Sequence, residues 1–136
     1  MKNSTDKKLS TLVDDVYQTV SSINTGKLAI PKDALDSLIS GIGKAVTAWA
    51  TPRGNSSFTL RMSNIGKPAR QLYYQKKFTG DNSYELDAPT LIKFLYGHIL
   101  EEVLIFLVKL SGHKVSDQQK EVTVNGIKGH MDCKID

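Results

Sequence analysis

The stretch PTLIKFLYGHILEEVLIFLVKLSG, residues 89–112, decides the fold because it predicts one long helix on which the remaining segments must pack. Pro89 suits the first turn of a helix, and Gly112 suits its end. Two glutamates and a lysine interrupt the most apolar part, and no apolar run approaches the ~18 residues of a membrane span. We therefore expect a buried helix and no membrane partner.

The pattern changes after this helix, in the final segment HKVSDQQKEVTVNGIKGHMDCKID, residues 113–136. The apolar period falls from about 3.6 residues to about 2, which is typical of strands. Asn125 followed by Gly126 is the strongest short signal for a hairpin turn. We expect two strands, and because two strands alone make no stable sheet, we expect the sheet to continue in further residues or in a partner chain.

Upstream segments predict further helices. Helical spacing or a helix-starting proline marks three of them: residues 4–22 with Ser4 or Thr5 as the cap, about 31–50 from Pro31, and a segment opened by Pro68. A short strand is expected within residues 58–63. Helices followed by a β-meander predict an α+β fold, divided into an N-terminal helical region, residues 1–55, and a core, residues 56–136.

Composition narrows the function classes. Lys and Arg number 18 against 14 Asp and Glu, a formal net charge of +4 that mildly favours an anionic partner. No signal-peptide segment is apparent, so we expect a cytoplasmic protein. The single cysteine, Cys133, excludes an internal disulfide framework and any cluster built from several thiolates of this chain.

Carboxylates in the last third of the chain are the first candidates for chemistry: Glu101, Glu102, Glu121, Asp132 and Asp136. Mg²⁺ prefers oxygen ligands, so a helix glutamate facing a strand aspartate would suit it. Glu101 shares a helical stripe with Phe94, Leu104 and Val108, and a carboxylate in an apolar stripe needs a partner. That partner is a metal ion or an arginine such as Arg70. The alternative is that both helix glutamates lie on a solvated face.

The segment GHMD, residues 129–132, adds a second candidate. His130 and Asp132 point to one face of a strand because side chains alternate. They are interpreted either as two metal ligands, or as an aspartate ligand with a histidine lining the same groove. An ordinary hairpin with polar residues on its exposed face remains the alternative.

The segment SNIGKPARQLYYQKK, residues 63–77, is the third candidate. Basic side chains interleaved with aromatic ones suit a nucleic-acid strand, through phosphate pairing and base stacking. The residues that we assign to this role are Ser63, Lys67, Arg70, Gln71 and Tyr74. A helix start with Ser63 and Lys67 is also suited to one phosphate. A surface helix with half-buried tyrosines is the alternative.

These segments together resemble the PD-(D/E)XK nuclease superfamily, specifically its RecB-like and CRISPR-associated exonuclease branch as found in phage proteins. Three stretches carry the resemblance in the family order: SNIGKPARQLYY (63–74), YGHILEE (96–102) and QKEVTVNGIKGHMD (119–132). The resemblance implies a restriction-endonuclease-like α/β core, of which this chain holds the first two strands of a mixed sheet. It also implies a Mg²⁺-dependent DNA exonuclease, with Mn²⁺ as a substitute ion.

Residue roles follow from the same resemblance. Glu101 and Asp132 match the catalytic, metal-binding carboxylates, with Glu102 in place of Glu101 if the register differs by one. His130 would lie beside the metal. The matching serine, arginine and glutamine of the family line the DNA path, which assigns Ser63, Arg70 and Gln71 to DNA. The implied partners are DNA and a phage single-strand-binding or recombination protein, in the host cytoplasm for a phage-encoded chain.

Two departures from the family pattern limit what is expected. Iron–sulfur members carry a cysteine where this chain has Ala69, so no iron–sulfur cluster is expected. The third family motif, an acidic residue, any residue, then lysine, should lie on the strand after Asp132, whereas the sequence ends at Asp136. Asp132, Cys133 and Lys134 match that motif in residue types only. The motif that contains Asp132 and the third motif come from two adjacent strands, so one segment cannot supply both. We expect this chain alone to be incomplete and inactive.

Two other functions stay open. One is a non-catalytic DNA-binding or assembly module on a nuclease scaffold. The other is a helical interaction domain whose open hairpin edge adds to a partner's sheet.

Overall fold

The computed structural model describes residues 7–51, 58–78 and 86–136, and shows an α+β fold. Four helices lie in these ranges: α1 (Leu12–Asn24), α2 (Lys32–Ala50), α3 (Ala69–Phe78) and α4 (Ala88–Leu110). Single 3₁₀ turns span Leu9–Thr11 and Met62–Asn64. Four short strands follow α4: β1 (Val115–Ser116), β2 (Lys120–Val124), β3 (Ile127–Met131) and β4 (Lys134–Ile135).

Helix α4 is the centre of the fold, as its sequence predicts. Helix α2 packs along it, and the indole Nε1 of Trp49, near the end of α2, donates to the Leu91 carbonyl in the first turn of α4 at 2.8 Å. Helix α1 packs against α4 as well. The predicted N-terminal region therefore shares its packing with the predicted core. None of the described helices is long and apolar enough to cross a membrane.

The expectation that α4 is buried is only partly correct. Ile105 is 7% exposed, but Tyr96 is 69% and Leu100 57% exposed on another face. Helices α1 and α2 cover two sides of α4, and in the described ranges no segment covers the side that carries Tyr96 and Leu100. A helix that is apolar all round is typical of burial on every side, so α4 carries more apolar surface than its described neighbours bury.

Helix ends agree with the sequence prediction except at α1. Gly112 has φ +93° directly after the α4 cap residue, which confirms it as the helix stop. Helix α1 begins at Leu12 rather than residue 4, after the 3₁₀ turn. The Thr11 backbone N–H donates to the Lys8 carbonyl at 2.9 Å and so closes that turn. The expected caps, Ser4 and Thr5, lie outside the described residues.

The predicted hairpin is confirmed at Asn125 and Gly126, whose φ values of 50° and 77° fit a type I′ turn. Its two arms are not continuous strands. The pairing Lys120↔Met131 belongs to β2 and β3, and Val115↔Ile135 to β1 and β4, so the register shifts by one residue between the two ladders. Residues 117–119 oppose 132–133, which makes a β-bulge.

The strand expected within residues 58–63 does not form. Arg61 makes one isolated parallel bridge to Lys128, and the chain then turns into the 3₁₀ turn. Asn64 stabilises the turn with two hydrogen bonds. Its backbone N–H donates to the Arg61 carbonyl at 2.8 Å, and its side-chain oxygen accepts from the Arg61 backbone N–H at 2.9 Å. Within the described ranges this bridge is the only parallel pairing, and all other strand pairing is antiparallel.

A polar cluster fastens α1 to the end of α4. The Asp15 carboxylate accepts from Lys7 at 2.7 Å and from the Thr11 hydroxyl at 2.8 Å, and lies 3.1 Å from Nε2 of the buried His113. The Lys7 hydrogen bond, followed by that of Thr11, lowers the pKa of Asp15 from its usual 3.8 to about 2, against the opposing effect of partial burial. The ionised form of Asp15 is therefore the one that the fold stabilises.

Replacing Asp15 tests this cluster. A carboxyl whose pKa is lower in the folded state stabilises the fold above its unfolded pKa, and this contribution is lost as the pH falls from about 4 towards 2. We expect Asp15→Asn to lower the urea midpoint at pH 7, and the gap from the parent chain to shrink as pH approaches 2. Asp14→Asn, on the exposed face of the same helix, is the matched control. A gap that is the same at pH 7 and pH 2.5 contradicts the assignment.

Candidate functional site

The β-bulge brings together the two segments that carry the predicted catalytic carboxylates. Gln119 lies in the bulge with φ +52°, and its side-chain Nε2 donates to Oε1 of Glu101 on α4 at 2.5 Å. The backbone N–H of the same glutamine donates to the Asp132 carbonyl at 3.0 Å. One residue thus joins Glu101 to Asp132, which lie far apart in sequence. We call Glu101, Gln119, Asp132 and Cys133 the bulge site.

The negative charges of Asp132 and Glu101 both act on the Cys133 thiol. Burial raises the pKa of the Cys133 thiol, and the negative charges of Asp132 and then Glu101 raise it further. Lys109 opposes them. A thiol that responds to both acids is a built-in reporter of the charge in the bulge site.

The structure distinguishes between the two adjacent helix glutamates. Glu101 faces the hairpin, whereas Glu102 faces α2 and lies directly against Gly41. A Cβ at residue 41 would collide with the Glu102 carboxylate, so the absence of a side chain there makes room for it. Glu101, not its neighbour, is the helix carboxylate placed near Asp132.

His130 lies elsewhere on the hairpin. Its Nε2 is 3.9 Å from Oε2 of Glu121, its cross-strand neighbour, and Lys128 donates to Oε1 of the same carboxylate at 2.9 Å. The Lys128 hydrogen bond holds the pKa of Glu121 below its usual range. Among the described residues, no three His, Cys, Asp or Glu side chains lie close enough together to hold a metal ion. The predicted ligand set of Glu101, Asp132 and His130 is therefore not gathered at one point.

A cleft of about 530 Å³ lies between the segment before α3 and the hairpin. We call it the hairpin cleft, and its lining residues are Thr59, Leu60, Arg61, Met62, Ser63, Glu121, Gly126, Lys128, Gly129 and His130. It collects Ser63, predicted for DNA, and His130, predicted for metal. Sequence reasoning missed Arg61 and Lys128, although both alternate with apolar or small residues and so carry a signal for one exposed face.

Helix α3 carries the remaining predicted DNA contacts on an exposed surface. The Tyr74 and Phe78 rings stack with centroids 5.9 Å apart and planes 10° apart, and Tyr73 meets Tyr74 edge-on at 5.5 Å. Arg70 lies over the Tyr74 ring and Lys77 over the Phe78 ring, each 5.8 Å from the centroid. We call these five residues the α3 aromatic face.

The other predicted DNA residues flank this face. Gln71 is exposed in the first turn of α3, and Lys67 lies in the turn before it, where its N–H donates to the Asn64 carbonyl at 3.1 Å. The suggestion that Arg70 neutralises Glu101 is not supported, because Arg70 lies over Tyr74 while Gln119 bonds Glu101. The candidate residues thus occupy three surfaces rather than one.

Comparison with known proteins adds no relative. No family model, no curated protein and no solved structure matches this chain. The nuclease resemblance therefore stays a prediction that the motifs carry.

The thiol of Cys133 offers a test of the bulge site. Removing the Glu101 charge by Glu101→Gln should lower the Cys133 pKa and speed its alkylation at pH 8 about two- to threefold, since the thiolate is the reactive form. Rates would be measured with iodoacetamide and mass spectrometry. Glu102→Gln removes an equal charge on the side facing α2, and it should leave the rate unchanged. Equal acceleration by both variants would show that Glu101 has no special place beside Cys133.

Proposed function

We propose that this chain supplies the carboxylates of a Mg²⁺-dependent DNA nuclease site, formed by Glu101 and Asp132. The observation that carries the proposal is the Gln119 bridge, which joins the Glu101 side chain to the Asp132 backbone at the bulge. The two chain segments that carry these acids, which were selected for their sequence patterns, are thereby joined. Their arrangement supports hydrolysis of phosphodiester bonds in DNA, of the exonuclease type that the resemblance implies.

The donor set at the bulge fits Mg²⁺. Mg²⁺ prefers hard oxygen ligands and usually binds one or two protein carboxylates, while water and substrate phosphate complete its shell. Glu101 and Asp132 supply two carboxylates, and the Gln119 amide orients Glu101 as an outer partner does. When bound, the ion polarises the phosphodiester and stabilises the charge that develops on it.

The remaining roles, which are ion binding, positioning and DNA binding, belong to different residues of the chain. Glu101 and Asp132 hold the ion, and Gln119 positions Glu101. The DNA strand is held outside this site by Ser63, Lys67, Arg70, Gln71 and Tyr74. Activation of the attacking water belongs, in the family motif, to a lysine on a strand after Asp132. Cleavage of labelled linear DNA is thus expected from a longer chain that adds this motif.

Mg²⁺ binding is testable without catalysis. A cation at the bulge site should lower the pKa of Cys133, so its alkylation rate at pH 8 should rise saturably with Mg²⁺. Glu101→Gln and Asp132→Asn should each weaken this response about tenfold or more. The electron paramagnetic resonance signal of Mn²⁺ gives an independent count of bound ions for the same variants.

Suitable controls separate the site from general effects of salt. Asp136→Asn removes a nearby exposed carboxylate that is paired with Lys134 at 2.9 Å, and it should leave the Mg²⁺ response intact. A rate that does not change with Mg²⁺, together with no bound Mn²⁺, would sink the metal-site proposal. In a longer chain that carries the lysine motif, cleavage that survives Asp132→Asn would contradict the nuclease proposal itself.

A second function, a non-catalytic DNA-binding module, is favoured by the α3 aromatic face. Tyr73 is 59%, Tyr74 42% and Phe78 54% exposed, although aromatic rings usually bury most of their surface. Exposed rings beside Arg70 and Lys77 suit single-stranded nucleic acid, because bases stack on the rings while the cations meet phosphates. This function needs no metal ion.

The two kinds of contact on α3 should separate in a salt titration. Tyr74→Ala should weaken binding of a labelled oligothymidine about fivefold or more without changing the salt slope, because stacking contributes roughly 1–3 kcal/mol per base. Arg70→Ala should weaken binding and reduce the slope by about one unit. Tyr96→Ala, an exposed tyrosine on α4, is the matched control in the polarisation assay. Equal losses for Tyr74→Ala and Tyr96→Ala would contradict a specific role for α3.

A further inference from the structure

The walls of the hairpin cleft are fixed in position by the fold itself. Gly129 lets Met62 lie directly on β3, because a Cβ at residue 129 would come within 2.6 Å of the Met62 sulfur. Arg61 is joined to Lys128 by a backbone bridge, and its paired hydrogen bonds with Asn64 close the turn behind it. A preformed cleft of about 530 Å³ has the size of a small-molecule site and loses little freedom on binding.

Two cationic side chains, Arg61 and Lys128, and one acidic side chain line this cleft. Arg61 is exposed and makes no ion pair within the described ranges, while Lys128 is held 2.9 Å from Glu121. Ser63 adds a hydroxyl at the same wall. The residues that flank a two-residue turn form a hydrogen-bonded pair, and bonded and non-bonded pairs then alternate along the hairpin. His130 lies in a non-bonded pair, so its backbone N–H points away from β2 and towards this wall. Glu121 is the single acidic side chain among the lining residues.

We propose that the hairpin cleft binds the phosphate group of a nucleotide, through Arg61, Lys128 and Ser63. A guanidinium fork, an ammonium and a hydroxyl on different sides suit a tetrahedral anion with several oxygens better than a planar carboxylate. Leu60 and Met62 line the same cleft and offer apolar surface to the sugar or the base. The ligand is either a free mononucleotide or one nucleotide of a strand.

Glu121 sets the affinity of this site. In the free protein the Glu121 carboxylate accepts a hydrogen bond from Lys128, and its negative charge repels an incoming phosphate. Binding therefore exchanges a carboxylate for a phosphate on the same ammonium group. Removing the Glu121 charge should strengthen phosphate binding, which is the opposite of what a merely structural ion pair predicts.

The cleft site does not depend on the proposed metal site. None of its binding groups belongs to the bulge site, and it requires neither Mg²⁺ nor hydrolysis. Absence of an Mg²⁺ response in the parent chain, with nucleotide binding retained, would overturn the nuclease proposal alone. Loss of nucleotide binding with the Mg²⁺ response intact would overturn the cleft proposal alone.

The test is a set of amide NMR titrations of the 136-residue chain in EDTA with deoxyadenosine monophosphate, inorganic phosphate and an octathymidine. We expect saturable shifts confined to residues 60–63 and 126–130. Arg61→Ala combined with Lys128→Ala should weaken binding about tenfold or more, and Glu121→Gln should tighten it about two- to fivefold. Gly129→Ala should weaken it by displacing Met62, and the spectrum itself shows whether each variant is folded.

Lys120→Ala is the matched control, since this exposed lysine on the neighbouring strand pairs with Asp117 outside the cleft. Its affinity should equal that of the parent chain. Saturation by the mononucleotide supports a free nucleotide as ligand, and saturation by the octathymidine alone supports a nucleotide within a strand. Absence of saturable shifts with every phosphate probe overturns the proposal. Equal affinity for glutamate overturns it too, because the cleft would then not select phosphate.

Discussion

The docking of the bulged hairpin on α4 is the interaction on which the candidate sites depend. Two consecutive glutamines in the bulge make it: Gln118 accepts from Lys109 at 2.9 Å, and Gln119 donates to Glu101 at 2.5 Å. Their helix partners are eight residues apart, so the two bonds hold the hairpin along about two turns of α4. The extra residue in β1–β2 turns successive glutamines towards the helix, which a regular strand with alternating side chains would not do.

The extra residue of the bulge lies on one arm of the hairpin, and the arm that carries His130 and Asp132 stays regular. In an uninterrupted strand the two side chains would share a face. Here His130 and Asp132 are both exposed, while Met131 and Cys133 between and after them are partly buried, so the alternation continues past the end of β3. A shift of one residue in register changes which side chains meet, so the bulge turns Gln119 to Glu101 while Glu121 stays opposite His130.

Sequence patterns predicted the local elements well because their causes are local. Apolar spacing and Gly112 define α4, and Asn125 with Gly126 defines the turn. Close contacts between distant segments were not predictable in this way. Gly97 lies in the middle of α4, yet a Cβ there would meet nothing within 4 Å. The close approaches occur at Gly41 and Gly129, where partners distant in sequence decide them.

The candidate residues also differ in how far sequence reasoning could place them. Glu101 was distinguished from its neighbour by the apolar stripe it shares, and a rotation of about 100° per residue sends adjacent glutamates to different partners. For Arg61 and Lys128 the alternation with apolar or small residues indicates an exposed face but no partner, because their site exists only where two distant segments meet. A net charge of +4 conceals this separation: negative charge collects at the bulge, and positive charge in the cleft and on α3. Phosphate would therefore be repelled from Glu101 and Asp132 until a cation binds there, whereas the cationic surfaces attract it without one.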